Sequence, residues 1–435
     1  MSRLRGPLAS RNYRLLVACD VTAMLGSSMA AVAIPFAVLG IGGSAADVGY
    51  VLAAGLVPTA SFLLLGGVLA DRFPRHQVMM AANVAQAMAQ AGLAVLVLTG
   101  HARLWEMMAL NAARSCAFGF YMPAAQGLLP QTVTADLLAS ANAGRRLGLN
   151  GAQITGGALG GIVVGLAGPG WGLAADAASY VIAGSMRAGM RFPRLPVVAG
   201  TSMLQELREG WRAFTSRRWL WAIVVQFSLV NAIFAGALGV LGPVIARDHL
   251  GGARSWGLIL AAEAAGAVLG ATIMVRYRPA RLVLAASLAV PVLALPLLAL
   301  AVPLSVPVIA AAALVAGVAV EVFEVNWVTA MQQQIPPALL SRVSAYDILG
   351  SIGLSPVGTI LAGPLAIAIG MTAVLAGGGG IIVASTLAVL CVPEVRRLRR
   401  HASAAARSRS TGRAAAPAAA NSAAPVADSE HYHSQ

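Results

Sequence analysis

The sequence predicts an all-α integral membrane protein whose twelve transmembrane helices form two parallel six-helix repeats. Three observations carry that prediction. Of 435 residues, 58% are hydrophobic and 11% charged, a ratio that cannot cover a water-soluble surface. The apolar residues gather in twelve runs close to the roughly 20 residues a helix needs to cross a bilayer. Two segments also recur. Gln131 to Ala143 (QTVTADLLASANA) matches Gln333 to Ala345 (QQIPPALLSRVSA) at an offset of 202, and GYVLAA from Gly49 matches GLILAA from Gly257 at an offset of 208. The second six spans therefore repeat the first six in the same direction.

Residues 1–14 form a basic amino terminus. The first bundle, 15–190, holds spans at about 15–39, 48–70, 77–99, 104–128, 145–167 and 171–190. Its first span reads as a membrane anchor, being longer than the apolar core of a cleavable leader. Residues 191–218 are a linker in which Pro193 and Pro196 precede LQELREGWRAFTSRRW. There Leu204, Leu207, Trp211 and Phe214 recur at helical spacing, as in a helix lying on a membrane leaflet. The second bundle, 219–392, holds spans at about 219–245, 256–275, 280–302, 306–331, 345–368 and 371–392. The tail, 393–435, turns to Ala, Ser, Pro and Arg, the composition of a disordered segment. Its cluster Arg396, Arg397, Arg399 and Arg400 suits anionic lipid headgroups.

The formal charge is +14, and every basic residue is arginine. Twenty-six arginines fall on the amino terminus, the even-numbered connections and the tail, against Arg103, Arg247 and Arg254 on the other face. The positive-inside rule then puts both termini in the cytoplasm of a multi-pass protein, and an all-arginine complement points to a bacterial cell membrane. Charge placed this way reports topology, not a nucleic-acid partner. Cys19, Cys116 and Cys391 lack metal or disulfide spacing. With no HExxH, GxSxG or Walker motif, the sequence offers no enzyme, no ATP site and no cofactor.

Ionisable residues inside spans are costly and mark function. Asp20, Arg114, Glu263, Glu321 and Glu324 are such residues. Glu321 and Glu324 are three apart and share one helical face. Two carboxylates in a low dielectric cannot both ionise cheaply, which suits taking up and releasing a proton or a cationic cargo. Arg114 lies at a depth to pair with Glu321 across the two halves; a fixed ion pair holding the halves in register is the alternative. Asp20 sits two turns from the cytoplasmic end. Glu263 is expected to hydrogen bond at the outer face, and Asp176 to cap the outer end of the sixth span.

Between the second and third spans, GGVLADRFPRH from Gly66 to His76 is a short polar hinge. It resembles the loop G-x-L-A-D-R-x-G-R-R/K of the major facilitator superfamily, with Pro74 in place of a glycine. Resemblance implies a conformational latch at Gly67, Asp71, Arg72 and Arg75. The run GGALGG, with Gly156, Gly160 and Gly161, resembles the family's glycine-rich antiporter signature, Gly157 replacing its proline. Tyr13-Arg14, ADRFPR, LLASANA, DAASY, REGWR and PPALLSRVSA resemble the enterobactin-exporter-like and macrolide-efflux-like branch. In that family spans 1, 4, 7 and 10 line the central cavity, which would put Asp20, Arg114, Glu321 and Glu324 on the pathway. The implied function is proton-coupled efflux of amphipathic small molecules by alternating access. Implied partners are a small-molecule substrate, protons and membrane lipids, with the protein a monomer. An uptake permease for a polar solute, or a non-transporting scaffold or sensor, are the alternatives.

Overall fold

The computed structural model describes residues 6–72, 75–134, 137–190, 203–277 and 279–398. Within them all regular structure is helical. A chain this apolar has no water to satisfy its backbone in the hydrocarbon layer, so each span closes its own hydrogen bonds. The first half comprises α1 (Arg11–Gly40), α2 (Ala45–Arg72), α3 (Arg75–Leu98), α4 (Leu104–Leu128), α5 (Leu138–Ala167) and α6 (Pro169–Ala188). After a short helix α7 (Met203–Thr215), the second half opens with α8 (Arg218–Gly236), which runs through a π turn at Ala237–Leu241 into α9 (Gly242–His249). Then come α10 (Ala253–Arg276), α11 (Leu282–Ala289) joined by a 3-10 turn to α12 (Ala294–Ala301), and α13 (Val306–Gln334). The chain continues through α14 (Pro337–Ile352), α15 (Ser355–Ile369), α16 (Met371–Leu390) and the short α17 (Pro393–Arg397).

Among the described residues, nine helical stretches are long and apolar enough to cross a membrane, and the described side chains of α2 extend its apolar run over Ala45–Thr59. The expected twelve is thus not reached by length and composition alone. The helices α4 and α6 carry Glu106 with Arg114 and Asp176 with Arg187, which dilute their apolar content. α5 starts at Leu138, seven residues before the span read from hydropathy, so Arg145 and Arg146 belong to the helix and not to a connection.

The repeat is visible in backbone geometry. Gly168 ends α5 at φ 92°, and Gly370 ends α15 at φ 88°, the same 202 residues apart as the sequence match. Each turns the chain directly into the next helix with a left-handed conformation that glycine adopts freely.

The halves meet through two equivalent seams, α5 with α10 and α2 with α15. A Cβ on Gly257 would lie 2.6 Å from the Gly157 carbonyl oxygen and 2.7 Å from Gly161 Cα. In the other seam a Cβ on Gly49 would lie 2.2 Å from the Thr359 carbonyl oxygen, and one on Gly363 2.4 Å from the Ala46 nitrogen. Both seams therefore bring backbone against backbone, which only glycine allows. They lie away from α7 and the chain ends, on what we call the distal face. The opposite, terminal face carries Ser10, whose hydroxyl donates to the Thr132 carbonyl at 2.6 Å. It also carries Glu394, which accepts from the Trp219 amide at 3.0 Å.

The linker helix α7 docks on α14. Trp211 and Phe214 pack against the Tyr346 ring at centroid distances of 5.4 and 6.1 Å, and Arg342 pairs with Glu209.

Candidate functional site

Among the described residues, four sets of charged side chains inside the bundle bear on function. The first lies in the first half, near the terminal face. Asp20 of α1 is 3% exposed and accepts three charge-assisted or hydroxyl bonds. Its donors are Arg187 Nη2 at 2.6 Å, Arg145 Nε at 2.7 Å and the Tyr121 hydroxyl at 2.6 Å. The Arg187 guanidinium also stacks over the Tyr121 ring, 4.7 Å from its centroid. Four helices, α1, α4, α5 and α6, are thereby tied through one carboxylate. Such donors satisfy both oxygens of a carboxylate that is almost wholly buried. Arg145 and Arg187, counted in the sequence only as topology charges, are its counter-ions. Nothing in a linear charge count separates an arginine turned inward from one turned to headgroups.

The second place is about two to three turns deeper towards the distal face, by residue count along α1, α4 and α6. Arg114 does not reach Glu321. Its Nε and Nη2 donate to Asn111 Oδ1 at 3.4 and 3.2 Å, and Nη1 to the Tyr180 hydroxyl at 3.3 Å. That hydroxyl shares a 2.9 Å bond with Ser27, and Asn111 in turn donates to the Val51 carbonyl at 2.7 Å. Arg114 feels the field of Asp176 on α6. Asp176 is no helix cap: α6 begins at Pro169 with Gly168 before it, and Asp176 lies two turns inside. It is fully buried, and neither carboxylate oxygen has a hydrogen-bond donor among the described residues.

The third place is in the second half. Glu321 of α13 faces Arg146 of α5 across the halves, 3.9 Å from Oε1 to Nη1. Glu324, one turn on, has Arg146 and Glu321 as electrostatic neighbours. Asp347 of α14 joins them; it accepts from Trp327 Nε1 at 3.1 Å and feels Glu324. An aromatic ladder positions this wall. Phe227 stacks on Phe323 at 3.8 Å, Phe323 on Trp327 at 5.9 Å, and Trp219 meets Trp327 edge-on at 5.5 Å. Arg146 and Asp347 were missed in the sequence because each lies at the margin of a span, where charge is ordinarily assigned to headgroups.

Glu263 of α10 is the fourth. It makes no outer-face hydrogen bond, and no charged group among the described residues acts on it.

The expected latch lies largely outside the described residues. The backbone places Gly67, Asp71 and Arg72 in the last turns of α2 and Arg75 at the start of α3, but side chains 63–75 are not among those described. The glycine run of α5 lies against two helices. A Cβ on Gly156 would fall 2.5 Å from the Leu25 carbonyl oxygen and one on Gly160 2.8 Å from Met29 Cα, both in α1, while one on Gly161 would meet the Ala253 carbonyl oxygen at 2.8 Å. An apolar cavity of about 500 Å³ between α3 and α4, lined by Ala81, Ala85, Ala113, Cys116 and Phe120 among others, touches none of the four polar groups. Among the described residues no group of three or more His, Cys, Asp or Glu could hold a metal ion.

Residues 3–424 match the family described as transmembrane secretion effector. Macrolide efflux protein A of Streptococcus pyogenes is 24% identical over 358 residues, covering 79% of this chain and 86% of that protein. Multidrug efflux pump Tap of Mycobacterium tuberculosis is 26% identical over 397 residues, covering 88% of this chain and 94% of that protein. Among solved structures, the nucleoside transporter NupG superposes with a TM-score of 0.70 at 14% identity, covering 89% of this chain and all of that one. An auto-inhibited POT family peptide transporter superposes with a TM-score of 0.71 at 11% identity, covering 91% of this chain and 98% of that one. At these identities the two structures share its fold.

Proposed function

Because the chain belongs to the transmembrane secretion effector family of the major facilitator superfamily, and is a multi-pass membrane transporter, we propose that it exports amphipathic small molecules in exchange for protons. The observation that carries this reading is the placement of Glu321 and Glu324 on α13, with Arg146 of the other half 3.9 Å from Glu321. Two carboxylates and one guanidinium leave the wall net anionic. A proton or the positive group of a cargo neutralises it, and rupture of the Arg146–Glu321 contact couples that event to separation of the halves. The seams at the distal face and the cross-half ion pair nearer the terminal face supply a bundle closed on one side, from which rocking exposes the other. The names of the efflux relatives favour export and place macrolide-like and other antibiotic compounds among the cargo to be tried.

Under this reading Glu321 and Glu324 bind proton and cargo, while Asp20 and Arg114 hold the first half together as the fixed body against which the second moves. Gly67, Asp71, Arg72 and Arg75 act as the latch at the cytoplasmic face, and both termini are cytoplasmic. The protein works as a monomer in the bacterial cell membrane, with membrane lipids among its partners.

The test is exchange in liposomes. The purified chain is reconstituted with an internal pH dye, and lipophilic cations and neutral macrolides are added outside. Wild type should give a cargo-triggered proton flux, and Glu321→Gln should reduce it at least tenfold. A flux of wild-type size in Glu321→Gln would remove Glu321 from coupling. Cargo movement without any proton flux would remove antiport.

A further inference from the structure

Glu263 is the one carboxylate in the span-forming helices, among the described residues, for which neither a hydrogen bond nor a charged neighbour is found. It is the eleventh of 24 residues in α10, about 15 Å along the axis from the distal end at 1.5 Å per residue. Its backbone is pinned on two sides. A Cβ on Gly317 of α13 would stand 1.9 Å from the Glu263 carbonyl oxygen, and Gly257 two turns earlier is locked against Gly161 of α5. The face is equally determined. Leu258 and Leu269, 53% and 48% exposed, mark the lipid side, and Glu263 is rotated from them by about 120 to 140° at 100° per residue. Its side chain is half-buried on the interior side of α10, on the face it shares with buried Trp256.

The charges on the helices around it are engaged elsewhere. On α5, Arg145 bonds Asp20 and Arg146 faces Glu321; on α1, Asp20 is saturated; at the end of α9, Arg247 pairs with Asp248. On α13 the titratable groups are Glu321 and Glu324, and on α10 itself Arg254 and Arg276 stand near the two ends. Among the described residues the fold thus supplies counter-charges to Asp20 and Glu321 and none to Glu263. A carboxylate inside a bilayer without a partner is costly, and packing alone would be served better by an apolar residue.

We infer that Glu263 is a second cation site of the transport pathway, on which the positive group of an amphipathic cargo and a proton exclude one another. The inference rests on the transport reading and adds to it a residue outside the Glu321 group. In balanced form, the protonated carboxyl meets the cargo cation, the O–H bond breaks, the proton leaves to water at the open face, and the carboxylate pairs with the cation. A single carboxylate offers a small hydrated metal ion little in exchange for its water shell. A charge spread over a phosphonium or a substituted ammonium can enter.

The probe is tetraphenylphosphonium, with the full chain in lipid nanodiscs. Binding is measured by equilibrium dialysis from pH 6 to 8, and proton release in weak buffer. Wild type should bind more tightly as pH rises, by up to about tenfold per unit where one proton is displaced, and should release protons on binding. Glu263→Gln should lose at least tenfold in affinity together with the release, and Glu263→Asp should retain both. Glu263→Gln with wild-type affinity and release overturns the assignment. Release lost in Glu321→Gln but kept in Glu263→Gln overturns it in favour of α13 and leaves the transport reading intact. Wild type that moves a neutral macrolide but binds no tetraphenylphosphonium also overturns it alone; wild type that neither binds nor moves any compound overturns the transport reading and this inference with it.

Discussion

Two guanidiniums and a phenol around one carboxylate make Asp20 the residue whose loss the first half should tolerate least. Replacing it by Asn leaves Arg187 buried at 1% exposure with its charge uncompensated. Removing one partner of a buried ion pair costs about 3 to 5 kcal/mol. Asp20→Asn should therefore lower the melting temperature of the detergent-solubilised protein markedly, and the double variant Asp20→Asn with Arg187→Met should recover much of the loss. A double variant as unstable as the single would mean that the cluster is not held by its charges. Arg114 teaches the complementary lesson. Its depth in α4 was legible, but its partners Asn111 and Tyr180 lie in the same half, because side-chain direction about the helix axis decides reach before depth does.

At the scale of elements, the linker helix is the clearest case of sequence carrying over into structure. The spacing of Leu204, Leu207, Trp211 and Phe214 announced an amphipathic helix, and α7 forms over Met203–Thr215. Hydrophobic spacing did not announce that two of its aromatic residues meet Tyr346 on α14 while Glu209 reaches Arg342. Between them Gly210 lets the helix settle, since a Cβ there would lie 2.9 Å from Arg342 Cβ. Gly210→Leu should lift α7 from α14 and speed tryptic cleavage after Arg208 and Arg212 several-fold, read by gel under native conditions. Unchanged cleavage would show that α7 is held by something other than this contact. Over-packing at such a site costs about 1 to 3 kcal/mol.

For the whole molecule, the two seams are the elements that any rocking motion must open. Gly157 and Leu260 offer a direct test, because a Cβ on Gly157 would stand 3.7 Å from Leu260 Cβ, close to the separation of about 3.8 Å that a disulfide spans. In a chain with Cys19, Cys116 and Cys391 replaced by serine, Gly157→Cys with Leu260→Cys should cross-link under mild oxidation. Cross-linked protein should lose transport by at least tenfold and regain it on reduction. Full transport through the cross-linked form would mean that this seam stays shut throughout the cycle. Their repeat equivalents, Thr359 and Leu52, lie on α15 and α2, the two helices of the other seam.

Composition, hydropathy and the offset of 202 residues by themselves determined that this chain lives in lipid, that it is helical, and that its second half repeats its first. These properties are local or periodic: hydrocarbon forces each span to satisfy its own backbone, and a repeated segment repeats its turns, as Gly168 and Gly370 do. The tertiary structure alone decided that Asp20 is held by Arg145 and Arg187, that Arg146 and not Arg114 stands beside Glu321, and that Glu263 has no partner among the described residues. Which charges meet depends on the rotation of each helix about its axis and on which helices touch across the halves. Backbone contacts at glycines such as Gly161, Gly257 and Gly317 set both, and a glycine in the sequence does not reveal what will press against it.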